Sequence, residues 1–457
     1  MPVINELLKM RQYFETGITK NYLFRKEQLL KLKNTILKYQ EEIQNALYSD
    51  LKKSPEETWI TETGFVLSEI TYLLDNLKEW MAPDAVSTNL LNIPSKSYII
   101  KEPLGTVLII GPWNYPLQLL LTPLAGAIAA GNCVVIKASE FAPSTALIIK
   151  KIITEIFNQD YVLFKEQDGA VIIPEMMENF VFDHVFYTGS TAVGKIIYQM
   201  AAKNLVPVTL ELGGKSPCVV EEDADIKIAA KRIAMGKFSN AGQMCVTPDY
   251  VLVHATKKDA LIEELKKTLI QFFGIDARES YDYGRIINEK QFDRLTTYFT
   301  QGNVLTGGKT DKAQLYIEPT LMDGISMDLP IMKEEIFGPI LPIISFTKME
   351  EAMVIIAQNR NPLAFYIFTS SAKKEKEWFN AVPFGGGCVN NVVFHLTNHQ
   401  LPFGGRGFSG TGSYHGKFSF DTFSHKKGIL KTPAWFDPKA KYPSYKGKIK
   451  IFKWLMK

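Results

Sequence analysis

Cysteine is scarce in this chain, and the scarcity excludes two kinds of fold. Four residues, Cys133, Cys218, Cys245 and Cys388, lie far apart among 457, with no CxxC pair and no metal-ligand spacing. A disulfide-stapled scaffold and a zinc ribbon are excluded, and each thiol is to be judged as core packing or as a reactive group. Histidine is nearly as rare. Of six, only His395 and His399 stand four apart. Asn398, Pro402 and the glycines beyond them predict a loop there rather than a ligand-bearing helix, so no metal site is expected. No uninterrupted apolar run reaches the ~20 residues that span a bilayer. The opening MPVINELLKMRQYFETG has no basic, apolar and cleavage regions of a signal peptide, which makes the cytoplasm the expected compartment. Low-complexity tracts and internal repeats are absent as well.

Acidic residues are missing from one region only. The formal charge is +4, yet residues 424–457 carry ten lysines against a single acid, Asp437, so the remainder of the chain is net acidic. The basic character belongs to the tail. A uniformly basic surface with interleaved aromatics is lacking, and no nucleic-acid partner is expected.

What is present is length and alternation. A chain of 457 residues exceeds one ordinary core and predicts two or more domains. The first eighty residues read as helices; in FRKEQLLKLKNTILKYQEEIQNALYSDL, Leu29, Leu30, Leu32, Ile36 and Leu37 recur at helical spacing. From 105 to 213 short β-rich runs (TVLIIG, NCVVIK, YVLFKE, HVFYTG, VPVTLELGG) alternate with helical ones. That pattern predicts right-handed crossovers and a doubly wound parallel sheet, which binds ligands beyond the carboxyl ends of its strands. A second round of alternation to about residue 390 predicts a second α/β unit.

Several strand ends carry residues suited to chemistry. The turn Gly189, Ser190, Thr191, Ala192, Val193, Gly194 runs from a strand into a helix; its N–H groups and helix dipole suit a phosphate, although a capped βα turn would read the same. Lys137 and Glu140, closing NCVVIK, are placed for ribose hydroxyls or form a surface pair. In GPWNYP two prolines stiffen a loop that presents the amide of Asn114, as an oxyanion site requires, or Asn114 simply holds the turn. Glu211 lies in an apolar strand before a glycine pair, where a carboxyl of raised pKa suits a general base; a buried ion pair with Lys215 is the competing reading. Cys245, in NAGQMCVTPDY, reads as a small buried hydrophobe or as a nucleophile.

Taken in order, GPWNYP, KASE, TGSTAVGK, TLELGGKSP, NAGQMC, EEIFGP and LPFGGRGFSG resemble the aldehyde dehydrogenase superfamily over residues 10 to 430. YHGKFSFDTFSH and the short N-terminal region are most similar to its class 3, fatty-aldehyde branch. The resemblance implies two doubly wound parallel-sheet domains: 1–80 with 105–210 for the dinucleotide and 211–390 for catalysis. Segments 81–104 and 391–430 would form a small bridging and oligomerisation element, and 431–457 a lysine-rich tail. It implies Cys245 as nucleophile, Glu211 as activator of water or thiol, and Asn114 as oxyanion donor beside the Cys245 N–H. Lys137 and Glu140 would hold the adenosine ribose, Gly189, Ser190, Thr191 and Gly194 lie near the pyrophosphate, and Glu335 and Phe337 near the nicotinamide ribose. The implied cofactor is NAD or NADP, the implied substrate a medium- or long-chain aliphatic or an aromatic aldehyde, and the implied assembly a homodimer. A thiol of ordinary pKa, about 8.5, would supply a few per cent of thiolate at neutrality.

Three departures stand out: Ala138 where relatives carry proline, Met244 where threonine or isoleucine is usual, and KEQDGA where a glycine-rich segment touches cofactor. The other three cysteines are read as core. A CoA-acylating or semialdehyde-specific dehydrogenase, and a non-catalytic structural protein keeping the fold, are the competing functions. In KIKIFKWLMK, Ile451, Phe452, Leu455 and Met456 can share one helical face opposite lysines, which suits weak peripheral contact with an anionic membrane; a solvated or partner-packed tail is the alternative.

Overall fold

The computed structural model describes residues 2–456. Five parallel strands form the core of the first sheet, in the spatial order Val208–Glu211, His184–Thr188, Thr106–Ile110, Cys133–Lys137, Val162–Lys165. Three of them, Thr106–Ile110, Cys133–Lys137 and His184–Thr188, are buried at every residue. Burial on both faces is why these strands read as continuous apolar runs and not as alternating ones. The chain proceeds outward from Thr106–Ile110 to Cys133–Lys137 and Val162–Lys165, then returns to place His184–Thr188 on the other side of Thr106–Ile110. This reversal opens a crevice at the carboxyl ends of Thr106–Ile110 and His184–Thr188. GPWNYP follows one of those strands and GSTAVG the other.

The second sheet has seven strands, ordered Asn303–Thr306, Thr320–Asp323, Ile340–Phe346, Tyr250–His254, Pro217–Val220, Ala364–Phe368, Gly386–Val389. Each large sheet also carries one antiparallel edge strand, Gly410–Thr411 beside Val208–Glu211 in the first and Asn303–Thr306 in the second. Those edge strands are too short to show a period in the sequence. A third, antiparallel sheet joins Asp84–Val86, Lys96–Pro103 and Ser424–Lys431.

The N-terminal region is helical: Pro2–Glu15, Tyr22–Lys38, Gln40–Leu51 and Gly64–Trp80. In Tyr22–Lys38 the core face is Leu29, Leu32 and Ile36, whereas Leu30 and Leu37 are 38% and 43% exposed. Neighbouring residues on a helix point about 100° apart, so each adjacent pair, Leu29–Leu30 and Ile36–Leu37, sends only one member inward. Before Gly64–Trp80 the chain makes a π-helical turn, Trp59–Thr63, a widening of the kind found at functional sites.

The tail ends in a short helix, Ile449–Leu455, with Ile449, Ile451, Trp454 and Met456 exposed. Among the described residues no helix is long and apolar enough to cross a membrane.

Candidate active site

Cys245 lies past the helix Ile226–Phe238, after a stretch of unusual backbone. Asn240, Ala241 and Gly242 take φ of 50°, 51° and 75° in succession. A side chain at Gly242 would overlap the Gly338 carbonyl, so only glycine fits. The two non-glycine residues are strained, and hydrogen bonds over-determine them. The Asn240 N–H donates to Glu57 Oε1 at 2.8 Å, and Asn240 Nδ2 to the carbonyls of Asn114 (2.9 Å) and Gln243 (3.2 Å). Gln243 donates Nε2 to the Asn240 and Arg285 carbonyls and accepts the Ile287 N–H. The loop is thereby held from several elements.

Asn114 is 3% exposed. One hydrogen of its amide goes to the Gln243 carbonyl at 3.0 Å, two residues before Cys245, and the other is left for a ligand. Glu211 ends its strand buried, with neither carboxylate oxygen bonded to any group. Burial pushes its carboxyl well above the usual range. The competing ion pair does not form: Lys215 binds Asp249 and the carbonyls of Ile331 and Glu334 instead.

Glu335 is seated against Gly213, where any Cβ would overlap its carboxyl. Burial, then Asp249, raises that carboxyl to about 8. Phe337 has φ 50° and meets the Trp113 ring edge-on at 5.3 Å. Arg294 fixes this segment by donating to the Ile336 carbonyl at 2.7 Å.

Two cavities meet at Cys245. The first, about 700 Å³ with its open mouth, is lined by Asn114, Gly189, Ser190, Glu211, Glu335 and Phe337 among others. The second, about 1040 Å³ on the same measure, is walled by Phe65, Leu119, Met235, Met244, Val393 and Phe403, with Glu57, Gln118, Tyr414 and His415 among its polar interruptions; burial lowers His415 to about 4, so it is neutral. Among the described residues no lysine or arginine lines it. The thiol is pushed up by burial first and then by Glu335 and Glu211, so the expectation of an ordinary thiol is corrected: in this cavity it is held protonated.

Other expected residues stand apart from the thiol. Lys137 is buried at its strand's end and pairs with the half-exposed Glu140 at 2.8 Å. Asp168, in the KEQDGA segment, caps the helix Gly169–Asn179, and a Cβ on Gly169 would lie 3.7 Å from Glu140 Oε1, so this loop does reach the pair. Ser190 caps Thr191–Ala202, accepting the Val193 N–H at 3.4 Å. Gly189 and Gly194 leave no room for a side chain against Tyr187 and Leu212, and Thr191 opens to a neighbouring pocket.

Cys133 and Cys218 are core residues, while Cys388 is half-buried with its sulfur 3.6 Å from His395 Nδ1. His399 turns instead to Glu69, 2.8 Å away. Among the described residues no three His, Cys, Asp or Glu converge on a metal position.

Sequence reasoning missed Trp113, Gln291, Tyr414 and the Lys53–Glu62 pair. Trp113 and Tyr414 belong to quoted motifs, GPWNYP and YHGKFSFDTFSH; the others sit in stretches that read as ordinary helix or loop.

Residues 14–429 match the aldehyde dehydrogenase family model. The chain is 48% identical to a 4,4'-diaponeurosporen-aldehyde dehydrogenase of Staphylococcus aureus, over 97% of this chain and 96% of that protein. It is 44% identical to a dimeric NADP-preferring aldehyde dehydrogenase of Canis lupus familiaris, over 97% and 98%. A solved structure, the substrate-bound state of Staphylococcus aureus AldH, superposes with a TM-score of 0.97 at 47% identity, covering 100% of this chain and 99% of the other. The crevice at the sheet reversal, the buried carboxyls and the thiol between two cavities thus lie in a chain that belongs to the aldehyde dehydrogenase family, an oxidoreductase acting on aldehydes with NAD or NADP.

Proposed function

We propose that Cys245 is the nucleophile and that the chain oxidises medium- or long-chain aliphatic, or aromatic, aldehydes to carboxylic acids. The observation that carries this reading is the position of Cys245 between the two cavities, polar and carboxyl-lined on one side and apolar on the other. An aldehyde lying in the apolar cavity brings its carbonyl to Sγ. Sγ passes its proton to Glu211 and attacks, forming the C–S bond and a tetrahedral oxyanion, which the free Asn114 N–H and the Cys245 N–H stabilise. NAD or NADP supplies the hydride acceptor when bound. Loss of hydride from the carbonyl carbon leaves a thioester on Cys245. Glu211 releases that proton to solvent and takes another from water, whose hydroxide attacks the thioester; the C–S bond breaks, the acid leaves, and Glu211 returns its proton to Sγ.

The residues fit the dinucleotide. Lys137 and Glu140 offer a donor and an acceptor to the adenosine ribose, the tight turn through Gly189, Ser190, Thr191 and Gly194 admits a pyrophosphate, and Glu335 and Phe337 flank the nicotinamide ribose. In this reading residues 1–80 and 105–210 form the dinucleotide domain and 211–390 the catalytic domain. Segments 81–104 and 391–430 join the protomers of a homodimer, consistent with the open edge of Ser424–Lys431. A semialdehyde with a charged terminus is disfavoured, because no cation lines the apolar cavity.

Replacing Cys245 by Ala tests the assignment: aldehyde-dependent NAD(P)H formation is expected to vanish while cofactor binding persists, and retained turnover refutes it. A panel of aldehydes of graded length, without coenzyme A and with both cofactors, tests the substrate class. The chain is placed in the cytoplasm, with the lysine-rich tail resting weakly on anionic membrane. Deleting residues 446–457 should abolish liposome co-sedimentation at moderate salt; unchanged sedimentation refutes the contact.

A further inference from the structure

The loop that presents Asn114 is held from beneath by a buried ion pair contributed by the N-terminal helical region. Lys53 and Glu62 are both 0% exposed and bonded at 2.6 Å. The π-helical turn Trp59–Thr63 carries Glu62 into the interior. Lys53 Nζ donates to the Asn114 carbonyl at 3.0 Å and lies 3.8 Å from the centre of the Tyr115 ring. Glu62 Oε2 accepts the N–H groups of Leu117 and Gln118, each at 3.0 Å, at the start of the fully buried helix Gln118–Ala130. A carboxylate there also complements the helix dipole. Every residue from Asn114 to Gln118 except Pro116 is thereby touched by the pair.

Buried ion pairs are weak devices for stability, since desolvation offsets their attraction. They are effective at fixing geometry. The Asn114 carbonyl accepts from Lys53 on one side and from Asn240, in the nucleophile loop, on the other, while its side chain donates to Gln243. Remove the pair and the Asn114 carbonyl keeps only its bond from Asn240 in the nucleophile loop, while the Leu117 and Gln118 N–H groups lose their acceptor, so the turn is held less firmly against the helices behind it.

We propose that Lys53 and Glu62 are positioning residues of the reaction, aiming the Asn114 N–H at the oxyanion from a distance. This rests on the reading of Asn114 as oxyanion donor. Losing such a donor costs about a hundred- to a thousand-fold in rate, and a displacement of about 1 Å costs up to about a hundred-fold. The pair's removal should therefore lower kcat by about 10- to 100-fold.

The test is a double-mutant cycle. Two versions of the pair substitution, Lys53→Met with Glu62→Gln and Lys53→Met with Glu62→Leu, avoid an unpaired buried charge. Each is made with Asn114 intact and with Asn114→Ala, and folding is checked by cofactor-binding titration. The expected result is a lower kcat, unchanged aldehyde and cofactor KM, and a larger isotope effect with C1-deuterated aldehyde when Asn114 is intact. With Asn114→Ala the pair substitution should change kcat by less than about threefold, because the group it aims is gone. Equal losses in both backgrounds, or none with Asn114 intact, overturn the positioning role alone. Full activity of Asn114→Ala overturns the oxyanion assignment and this inference with it.

Discussion

Glu335→Gln should change how stability depends on pH. The Glu335 carboxyl is raised to about 8 by burial and by Asp249, against the Gly214 N–H, Lys215 and Arg294, which lower it. A raised carboxyl keeps its proton in the folded chain where the unfolded chain has released it. Its contribution to stability is therefore complete below the unfolded value of about 4.5 and is lost as pH rises to about 8. The slope is about 1.4 kcal/mol per pH unit, about 5 kcal/mol over the whole window and about 4 kcal/mol between pH 5 and pH 8. Glutamine keeps the shape and has no proton to lose. With about 2.1 cal/mol/K of unfolding entropy per residue over 457 residues, about 4 kcal/mol is about 4 °C. Thermal melts of both proteins between pH 5 and pH 8 should show the variant gaining about 4 °C on the parent as pH rises. Parallel curves would refute the claim that this carboxyl is buried as an acid.

The remaining expectations concern chemistry and specificity. Glu211→Gln should slow the first half-reaction and stop the second, giving at most one NAD(P)H per active site and a slowly formed acyl adduct on Cys245 by intact-protein mass; sustained turnover would sink the general-base role. Met244, 8% exposed, walls the apolar cavity. Met244→Thr strips apolar surface from that wall, and at ~0.8 kcal/mol per buried methylene kcat/KM for short aldehydes should fall about fourfold for each methylene no longer covered, with bulkier aldehydes spared. An unchanged length profile would free Met244 of any part in selectivity.

Which parts of this site could be read without coordinates follows from where their physical signals lie. Asn114 and Glu211 sit beside prolines or glycines at strand ends, and Cys245 follows Gly242 in a loop; each of these stretches left two readings open, and only the motifs taken together in order pointed to a site. The parallel sheets were legible because full burial writes itself as unbroken apolar runs. Lys53 and Glu62 had no such signal: a lysine and a glutamate nine positions apart in a helical stretch look like solvated surface, and only the π-helical turn and the packing of Gln118–Ala130 bring them inside. Leu30 and Leu37 misled for the opposite reason, being apolar but on the outer side of their helix. The Lys215 reading failed on distance in space, since Asp249 from the nucleophile's own segment takes the amine first.

The protonation of the cavity ties the two halves of the proposed reaction together. Burial raises the Cys245 thiol and the Glu211 and Glu335 carboxyls, and each carboxylate charge opposes a thiolate. Creating a net negative charge there is costly, because the adjoining cavity is apolar and offers no cation. Moving a charge that already exists is not: a proton passed from Sγ to an ionised Glu211 changes no net charge and removes one of the two carboxylates that oppose the thiolate. Glu211 can receive it because neither of its oxygens is committed to another group. Once the thioester has formed, the thiolate charge is gone, and Glu211, having released its proton to solvent as the net proton of the oxidation, meets water with its pKa still raised by burial. A carboxyl left without partners is thus no defect of packing. Any residue that satisfied it, as an ion pair with Lys215 would have done, would lower its basicity and disable both proton transfers at once.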